Sequence, residues 1–368
     1  MSPFSIKVVL FGIGNIGSTL ITQIQKARDF HVQHHHLQLN IPLIANSTLA
    51  FFEKEGITHE WEADFQKSSF PYRMDDLIDY IQNLNDDPVV VVDATASDTF
   101  VEHYLTFFEA GFHLVAANKK ANTSSQAFYR QLRTVAHKNQ VTFRYETNVG
   151  ASLPIIQTLS DLYEAHEKFT KIRGVFSGSL SYIFNRFGNE DLPFSKLLQE
   201  AERLGLTEPD SREDLSGKDV ARKLLIAARE IGLHVSMEEV SIESLFVPGI
   251  DLDMSVASYI TLQKLLDAPF EKAKKSQKAD HVLRYVGELN VDTQRLHVSL
   301  ISVPKNSALG QLKNSDNLIE IFTASHGEHP IIIQGAGAGK EITARGVLSD
   351  LLKTSQFIKA SNFKSKVY

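Results

Sequence analysis

Two residues of opposite charge, Asp219 and Lys223, stand four positions apart near the end of an acidic stretch that begins at Glu200. Pro209 interrupts this stretch, because proline lacks a backbone N–H and disfavours helix at the residue before it. Helical spacing resumes at Ser216, so both charged side chains are predicted on one face of one helix. A lysine with a tuned pKa can move a proton, and carboxylates beside it can hold an ammonium group. The spacing is therefore compatible with a polar substrate pocket.

The same residues also fit a purely structural interpretation. Ser216 would cap the helix, Asp219 would be the acid of a capping box, and Asp219–Lys223 would be a surface salt bridge worth about 0.2–0.5 kcal/mol. In the pocket interpretation, Glu208 and Asp214 on the preceding loop would join the pair. The stretch by itself leaves both interpretations open.

A glycine-rich turn, GIGNIG, follows the first predicted strand. The strand is the apolar run Ile6–Phe11, and a helix is predicted from Ser18 to Ala27. In this context the glycines let the backbone approach a pyrophosphate at the helix N-terminus. We therefore predict a dinucleotide site with these candidate cofactor contacts: Gly12, Ile13, Gly14, Asn15, Ile16 and Gly17.

The end of the second strand, predicted near Ile44–Ser47, bears on which dinucleotide binds. An NAD-type site places an acid there to bond the ribose 2′-hydroxyl, but no acid occurs between Asp29 and Glu53. NADP is therefore permitted, and Asn46 and Ser47 are candidates to bond its 2′-phosphate.

Two further parallel strands are predicted to end in polar residues. Val89–Asp93 leads to Thr95, and Phe112–Ala117 leads to Lys119. Ligands bind at the carboxyl ends of parallel strands, so Lys119 lies in a ligand crevice or, alternatively, in a solvated basic turn.

The pattern changes after Ile155, where the spacing indicates a mixed sheet. Its predicted antiparallel strands are Val282–Val291, Leu296–Val303 and Ile331–Gln334. A second glycine-rich loop then leads to a final helix, Glu341–Leu352, that could return to the nucleotide domain. We predict an α/β fold with a Rossmann-type nucleotide-binding domain of residues 1–148, completed by 335–368. Residues 149–334 would form an α+β catalytic and dimerisation domain.

Composition sets the broad class of protein. A chain of 368 residues with 43% hydrophobic and 22% charged residues is typical of a soluble protein of about two domains. The net charge of −6 gives no sign of nucleic-acid or anionic membrane binding. The absence of cysteine excludes disulfides, thiolate metal sites and cysteine nucleophiles. Without a signal-peptide pattern at the N-terminus, we expect a cytoplasmic protein.

Together these motifs resemble homoserine dehydrogenase almost from end to end. The resemblance is carried by GIGNIG, ANKKANTSS, YETNVGASLPII, GVFSGSLSYIFN, LGLTEPDSREDLSGKDVARKLL and QGAGAGKEITARGVLSDLL, in this order. It is closest to the dehydrogenase half of bifunctional aspartokinase–homoserine dehydrogenases. We expect that half to stand alone here, with a separate aspartokinase subunit left open as a partner.

The resemblance assigns roles to the acidic stretch and favours the pocket interpretation. It implies that Lys223 is the proton donor and acceptor, that Asp219 positions it, and that Lys119 is a second catalytic lysine. It implies substrate binding by Glu208, Asp214 and Ser179.

The resemblance also implies ligand contacts elsewhere. It adds Thr95, Lys119, Gly205 and Gly339 to the cofactor contacts. Glu146 and the carbonyls of Val149, Ala151 and Leu153 match a monovalent cation site, with Na⁺ as the expected ion. Glu146 could equally cap a buried turn.

Three positions depart from the family pattern. Leu206 stands where tyrosine is usual, Ser211 replaces a frequent proline, and Ser152 replaces a glycine of the cation turn. A side chain at position 152 would strain this turn if its φ were positive.

The expected reaction is the NAD(P)-dependent interconversion of L-aspartate-4-semialdehyde and L-homoserine, in a homodimer. Aspartate-semialdehyde dehydrogenase is excluded because it needs a cysteine. The alternative is a nucleotide-binding sensor without turnover, against which the two lysines and three pocket carboxylates argue.

Overall fold

The computed structural model describes residues 3–83, 87–247 and 254–365. The strands are β1 (Phe4–Phe11), β2 (Leu37–Ala45), β3 (Leu49–Phe52), β4 (Phe70–Pro71), β5 (Val89–Asp93), β6 (His113–Ala116), β7 (Phe143–Arg144), β8 (Phe169–Val175), β9 (Val240–Ile242), β10 (His281–Asn290), β11 (Arg295–Pro304), β12 (Asp316–Thr323) and β13 (Ile331–Ala336). The α-helices are α1 (Asn15–His35), α2 (Trp61–Ser68), α3 (Met74–Gln82), α4 (Tyr104–Glu109), α5 (Lys120–Thr123), α6 (Gln126–Lys138), α7 (Ile155–Glu164), α8 (Gly178–Asn189), α9 (Phe194–Arg203), α10 (Arg212–Leu215), α11 (Lys218–Glu230), α12 (Val256–Leu262), α13 (Asp267–Lys275) and α14 (Lys340–Ser365). Short 3₁₀ turns occur at Phe100–His103, Glu146–Asn148, Met237–Glu239 and Gln263–Leu266.

The chain forms two compact units. The first comprises Met1–Ser152 and Gly339–Tyr368, and the second comprises Leu153–Ala338. Among the described residues, none of the helices combines the length and the apolarity that are needed to cross a membrane.

The first unit is built on a seven-stranded sheet of order β4-β3-β2-β1-β5-β6-β7. Strands β2, β1, β5, β6 and β7 run parallel, while β3 and β4 form an antiparallel edge. Alternate residues of β1 point to opposite faces: Val9 packs towards α4 and α6, and Val8 packs towards α1 and α14. Burial on both faces explains why these strands are almost continuously apolar. The predicted Rossmann-type α/β fold is confirmed.

The second unit is built on a six-stranded sheet of order β13-β12-β8-β10-β11-β9. Among the described strands, only β9 and β11 pair in parallel, so the sheet is mixed, as predicted. The three antiparallel strands predicted from sequence are β10, β11 and β13, and their bounds shift by at most two residues.

Several elements differ from the prediction. Helix α1 begins at Asn15 and runs to His35, and the last helix continues to Ser365. Residues of the segment SGSLSY, which the sequence indicated as a strand that breaks up, instead begin α8. The reason is local: the Ser177 hydroxyl accepts a hydrogen bond from the Leu180 N–H at 3.3 Å and so caps the helix. Strand β12 was not predicted.

Helix α11 also begins differently from the prediction. Its N-cap residue is Gly217, at φ 74°, so the assignment of Ser216 as the cap is wrong. The Ser216 hydroxyl instead accepts from the Lys218 N–H at 3.2 Å and donates to the Glu213 carbonyl at 2.6 Å. Ser216 therefore stabilises the turn before the helix rather than the helix cap.

We expect Gly217→Ala to destabilise the protein more than Gly205→Ala does. Both glycines have a left-handed backbone, which costs a non-glycine residue about 1–3 kcal/mol. An added Cβ at Gly217 would also lie 2.1 Å from the Tyr285 hydroxyl, whereas at Gly205 nothing lies within 4 Å. The free energy of unfolding from urea titration should fall by at least about 1 kcal/mol more for Gly217→Ala. Equal losses would contradict the packing seen here.

Candidate active site

The glycine turn of the first unit has the geometry of a dinucleotide site. Gly12, at φ 93°, packs so tightly that a Cβ would lie 2.7 Å from the Ala94 carbonyl carbon. A Cβ at Gly17 would lie 1.9 Å from the Gly12 oxygen. Gly14 differs, since it is exposed and no atom lies within 4 Å of its added Cβ. No side chain caps the start of α1 at Gly14, so the helix offers its first N–H groups to an anion.

The other residues predicted in this turn follow the same pattern. Asn15 is exposed, while Ile13 and Ile16 are half-buried and pack against the apolar layer under α1. The turn therefore combines a tightly packed base, at Gly12 and Gly17, with an accessible tip at Gly14 and Asn15. This arrangement fits the pyrophosphate of a dinucleotide, because backbone groups can approach it closely.

The end of β2 forms a tight turn into β3. The Asn46 Oδ1 accepts hydrogen bonds from the Thr48 N–H at 2.9 Å and the Leu49 N–H at 2.7 Å. That oxygen therefore stabilises the turn, a role that the sequence did not indicate. The neighbouring Ser47 is exposed.

A buried network that the sequence did not reveal joins the ends of β5 and β6. The Asp93 carboxylate, with no exposed surface, accepts from the Tyr104 hydroxyl at 2.6 Å and the Asn118 amide at 3.0 Å. It also accepts from the Thr95 N–H at 2.7 Å. Burial raises the pKa of Asp93, and these hydrogen bonds oppose the rise.

This network fixes the positions of the residues around it. Asn118 also donates to the Ser97 carbonyl at 2.9 Å and accepts from the Lys120 N–H at 3.0 Å. Thr95 and the half-buried Lys119 are therefore held at the ends of neighbouring parallel strands. The signal available in the sequence was an acid at the end of an otherwise apolar strand.

The second unit contains the predicted acid–lysine pair. The Lys223 Nζ lies 2.7 Å from the Asp219 Oδ2 and donates to the Phe176 carbonyl at 2.8 Å. The Lys223 side chain is only 11% exposed, whereas that of Asp219 is 44% exposed. An ion pair with a buried lysine is not the solvated surface pair of the structural interpretation. The lysine is held at two points, with its carboxylate partner facing solvent.

Three further predicted residues are joined in one group. The Ser179 hydroxyl donates to the Asp214 Oδ1 at 2.5 Å, and the Glu208 N–H donates to the Asp214 Oδ2 at 2.9 Å. Burial raises the pKa of Asp214; the bonds from Ser179 and Glu208 oppose this, and the charges of Glu208 and Asp219 add to it. Glu208 itself is exposed. Asp214 therefore shapes the loop, and the Glu208 carboxylate remains open to a cationic ligand.

Of the two departures near this group, Ser211 has a structural explanation and Leu206 has none. The buried Ser211 hydroxyl donates to the Glu202 Oε1 at 2.6 Å, a bond that proline could not make. Leu206 is 36% exposed, so the lost tyrosine leaves an apolar side chain on the surface.

The predicted cofactor contacts Gly205 and Gly339 are both at helix ends. Gly205, at φ 67°, follows α9, and its N–H donates to the Glu202 carbonyl at 2.9 Å, which is how a glycine ends a helix. Gly339, at φ 116°, precedes α14, and no atom lies within 4 Å of its added Cβ. Their roles as cofactor contacts stay predictions.

The predicted cation turn is tightly packed. Glu146, Val149 and Ala151 are at most 7% exposed, and the Glu146 N–H donates to the Asp350 Oδ2 at 2.9 Å. Burial raises the pKa of Asp350, and the bond from Glu146 opposes this. Ala151 has a positive φ of 55°, but Ser152 does not. The backbone strain considered for position 152 therefore does not arise. In the described part of the chain, no three acidic or histidine side chains converge as ligands of a metal.

Comparison with known proteins gives the family. A model of the homoserine dehydrogenase family matches residues 154–352, and a model of the homoserine dehydrogenase NAD binding domain matches residues 12–146. Homoserine dehydrogenase of Emericella nidulans is 39% identical over 274 residues, which cover 72% of this chain and 74% of that protein.

Longer relatives and a solved structure match almost the whole of this chain. The bifunctional aspartokinase/homoserine dehydrogenase of Buchnera aphidicola is 37% identical over 352 residues, which cover 95% of this chain but only 43% of that protein. The chain thus spans less than half the length of its bifunctional relatives. A crystal structure of a protein of unknown function from Candida auris has a TM-score of 0.87 at 32% identity and covers 96% of this chain and 98% of that one. These matches show that the chain belongs to the homoserine dehydrogenase family of NAD(P)-dependent oxidoreductases.

Proposed function

We propose that this chain catalyses the reversible NAD(P)-dependent interconversion of L-aspartate-4-semialdehyde and L-homoserine. The observation that carries the proposal is the ion pair of the buried Lys223 with Asp219, in a chain of this family. The loop before their helix carries the exposed Glu208 carboxylate. Reduction of an aldehyde needs a proton at the oxygen, and a positioned lysine ammonium supplies one.

The residues of the second unit divide this work. Lys223 donates a proton to the substrate oxygen during aldehyde reduction and takes it back during alcohol oxidation. Asp219 keeps the lysine in place through the 2.7 Å ion pair. The exposed Glu208 carboxylate binds the substrate ammonium, and Asp214 and Ser179, which hold the Glu208 loop, are proposed to bind substrate with it. When bound, the nicotinamide cofactor supplies or accepts the hydride. Lys119 is proposed as the second lysine that shares in the proton transfer.

We propose NADP as the preferred cofactor, with NAD as a slower substitute. The support is the absence of any acid from the end of β2, where the exposed Ser47 follows Asn46. The acid would otherwise repel the 2′-phosphate. Conversely, a preference for NAD would show that the exposed hydroxyls of this turn do not bind the phosphate.

The test is an absorbance assay of nicotinamide reduction with L-homoserine as substrate. We expect turnover with NADP⁺ and slower turnover with NAD⁺, and none with a primary alcohol that lacks the amino and carboxyl groups. If protein shown to bind the cofactor is silent with homoserine and with the aldehyde, the proposed reaction is wrong, and a sensor becomes the better interpretation.

We propose that Na⁺ binds at the turn after β7. Its oxygen ligands would be the Glu146 carboxylate and the carbonyls of Val149 and Ala151, and such oxygen donors suit a hard cation. The fourth predicted ligand, the Leu153 carbonyl, belongs to the second unit and stays a prediction. Melting temperatures compared in sodium and in N-methylglucamine chloride test this. Equal values at equal ionic strength would argue against the cation.

We also propose a homodimer, formed through the sheet of the second unit, in the cytoplasm. A chain without cysteine suits a reducing compartment. Light scattering after gel filtration should give twice the 41.2 kDa of one chain, and cell fractionation tests the location. A mass of one chain would contradict the dimer.

A further inference from the structure

One backbone carbonyl in the second unit receives two donors. The Phe176 oxygen, between β8 and α8, accepts from the Lys223 Nζ at 2.8 Å and from the Asn317 Nδ2 at 3.2 Å. Phe176 has no exposed surface. Since a carbonyl oxygen has two lone pairs, Asn317 occupies one and leaves the other directed to the lysine.

Within the described residues, the side chain of Asn317 makes no other hydrogen bond. It has no exposed surface, and within the described residues its Oδ1 has no hydrogen-bond donor. Most buried amides are paired at both ends, because an unpaired polar group costs about 1–3 kcal/mol. In the part of the chain that the structure describes, the one hydrogen bond of this side chain is to the carbonyl that also holds Lys223.

The backbone around Asn317 makes room for this side chain. Asn317 pairs across the β12–β13 ladder with Gly335. A Cβ at Gly337 would lie 2.1 Å from both the Cγ and the Nδ2 of Asn317. Gly337, in the segment GAGAG, therefore leaves room for the asparagine side chain.

We propose that Asn317 is a positioning residue of the reaction, which fixes the Phe176 carbonyl so that this oxygen holds the Lys223 ammonium at the substrate oxygen. The inference rests on the proposed function, in which Lys223 transfers the proton. Without Asn317, the Phe176 carbonyl loses one of its two donors, so its position is less well fixed. Lys223 is then held by this less ordered oxygen and by the more exposed Asp219.

Two substitutions at this position test the proposal. Asn317→Ala should lower kcat for homoserine oxidation by about 10-fold and change KM by less than about 2-fold, because the lysine and not the binding of substrate is disturbed. Asn317→Asp keeps the shape, but it removes the donor and places a carboxylate next to the carbonyl oxygen that Lys223 also contacts. It should stabilise the ammonium and move the pH profile of kcat to higher pH by about one unit. The other charged groups near the lysine (Asp219, with Asp214 and Glu208 beyond it) are unchanged.

A second route reaches the same contact. Gly337→Ala should displace Asn317 and lower kcat to a similar extent. In Gly337→Ala combined with Asn317→Ala, the close contacts with Cγ and Nδ2 disappear and only the contact with the Cβ of residue 317, at 2.7 Å, remains, so the two losses should be less than additive. Fully additive losses would contradict the contact.

The matched control is Asn185→Ala. Asn185 is also a buried asparagine, 6% exposed, and it donates to the Asn314 carbonyl at 2.7 Å, with no bond to Lys223. We expect it to lower the melting temperature but to leave kcat and the pH profile unchanged.

The outcomes separate the inference from the function on which it rests. If the wild-type protein shows no turnover, the proposed function is wrong. An active wild-type protein whose Asn317→Asp pH profile overlays its own, or whose Asn317 variants change KM alone, overturns the inference. If neither Asn317 variant folds by circular dichroism, Asn317 serves the fold and the inference is also overturned.

Discussion

Replacing Lys223 by methionine should lower kcat for homoserine by about 100-fold or more. Methionine keeps the length and the apolar stem of lysine but has no ammonium to exchange with the substrate oxygen, and general acid–base groups contribute about 10²–10⁴-fold. Lys223→Ala should lose at least as much. The measurement is steady-state turnover at saturating homoserine and cofactor.

The matched control is Lys218→Met on the same helix. Lys218 is exposed at the start of α11, so its loss should leave kcat within about 2-fold of wild type. Folding of Lys223→Met should persist, because the Phe176 carbonyl keeps Asn317 as a donor at 3.2 Å. Cofactor affinity should persist as well, since the glycine turn belongs to the other unit. Unchanged turnover in a folded, cofactor-binding variant would exclude Lys223 as the proton donor.

The sequence predicted the parts of the site that depend on local spacing. Asp219 and Lys223 are four positions apart in one helix, so the helix alone brings them together. The same holds for the glycine turn, where strand, turn and helix follow one another directly. The order of β1, the turn and α1 could therefore be predicted without knowledge of the rest of the chain.

Partners that come from distant parts of the chain could not be predicted in this way. The Phe176 carbonyl that holds Lys223 is 47 positions away, and Asn317 is 141 positions from Phe176. These contacts depend on sheet register, and β12, which carries Asn317, was not predicted at all. Its segment from Leu318 to Phe322, apolar except for Glu320, was the available signal.

Local caps also decided several elements. Small polar residues at the start of α8 have low helix propensity, which favoured a broken strand, but the hydrogen bond that the Leu180 N–H donates to the Ser177 hydroxyl overrides that preference. At α11 the left-handed Gly217 replaces the serine that the capping pattern indicated. The deciding feature is a hydrogen bond in the first case and a φ angle in the second, and residue composition determines neither.

Gly14→Ala should separate cofactor binding from folding. The φ of Gly14 is −73°, which alanine also adopts, and no atom lies within 4 Å of the added methyl group. Stability should therefore stay within about 0.5 kcal/mol of wild type. The methyl group would stand at the uncapped start of α1, where the pyrophosphate must approach the backbone closely, so the Kd for NADP⁺ should rise by about 10-fold or more.

Calorimetric titration with NADP⁺ and urea denaturation measure the two effects, and the other glycines of the turn provide the contrast. Gly17→Ala places a Cβ 1.9 Å from the Gly12 oxygen, so we expect it to lower the free energy of unfolding as well as cofactor affinity. If the turn binds the cofactor, affinity falls in both variants, but stability falls only in Gly17→Ala. The protein itself has room for a methyl group at Gly14, so only a bound ligand would be obstructed by it. A Gly14→Ala variant that binds NADP⁺ like wild type would therefore show that the pyrophosphate lies elsewhere.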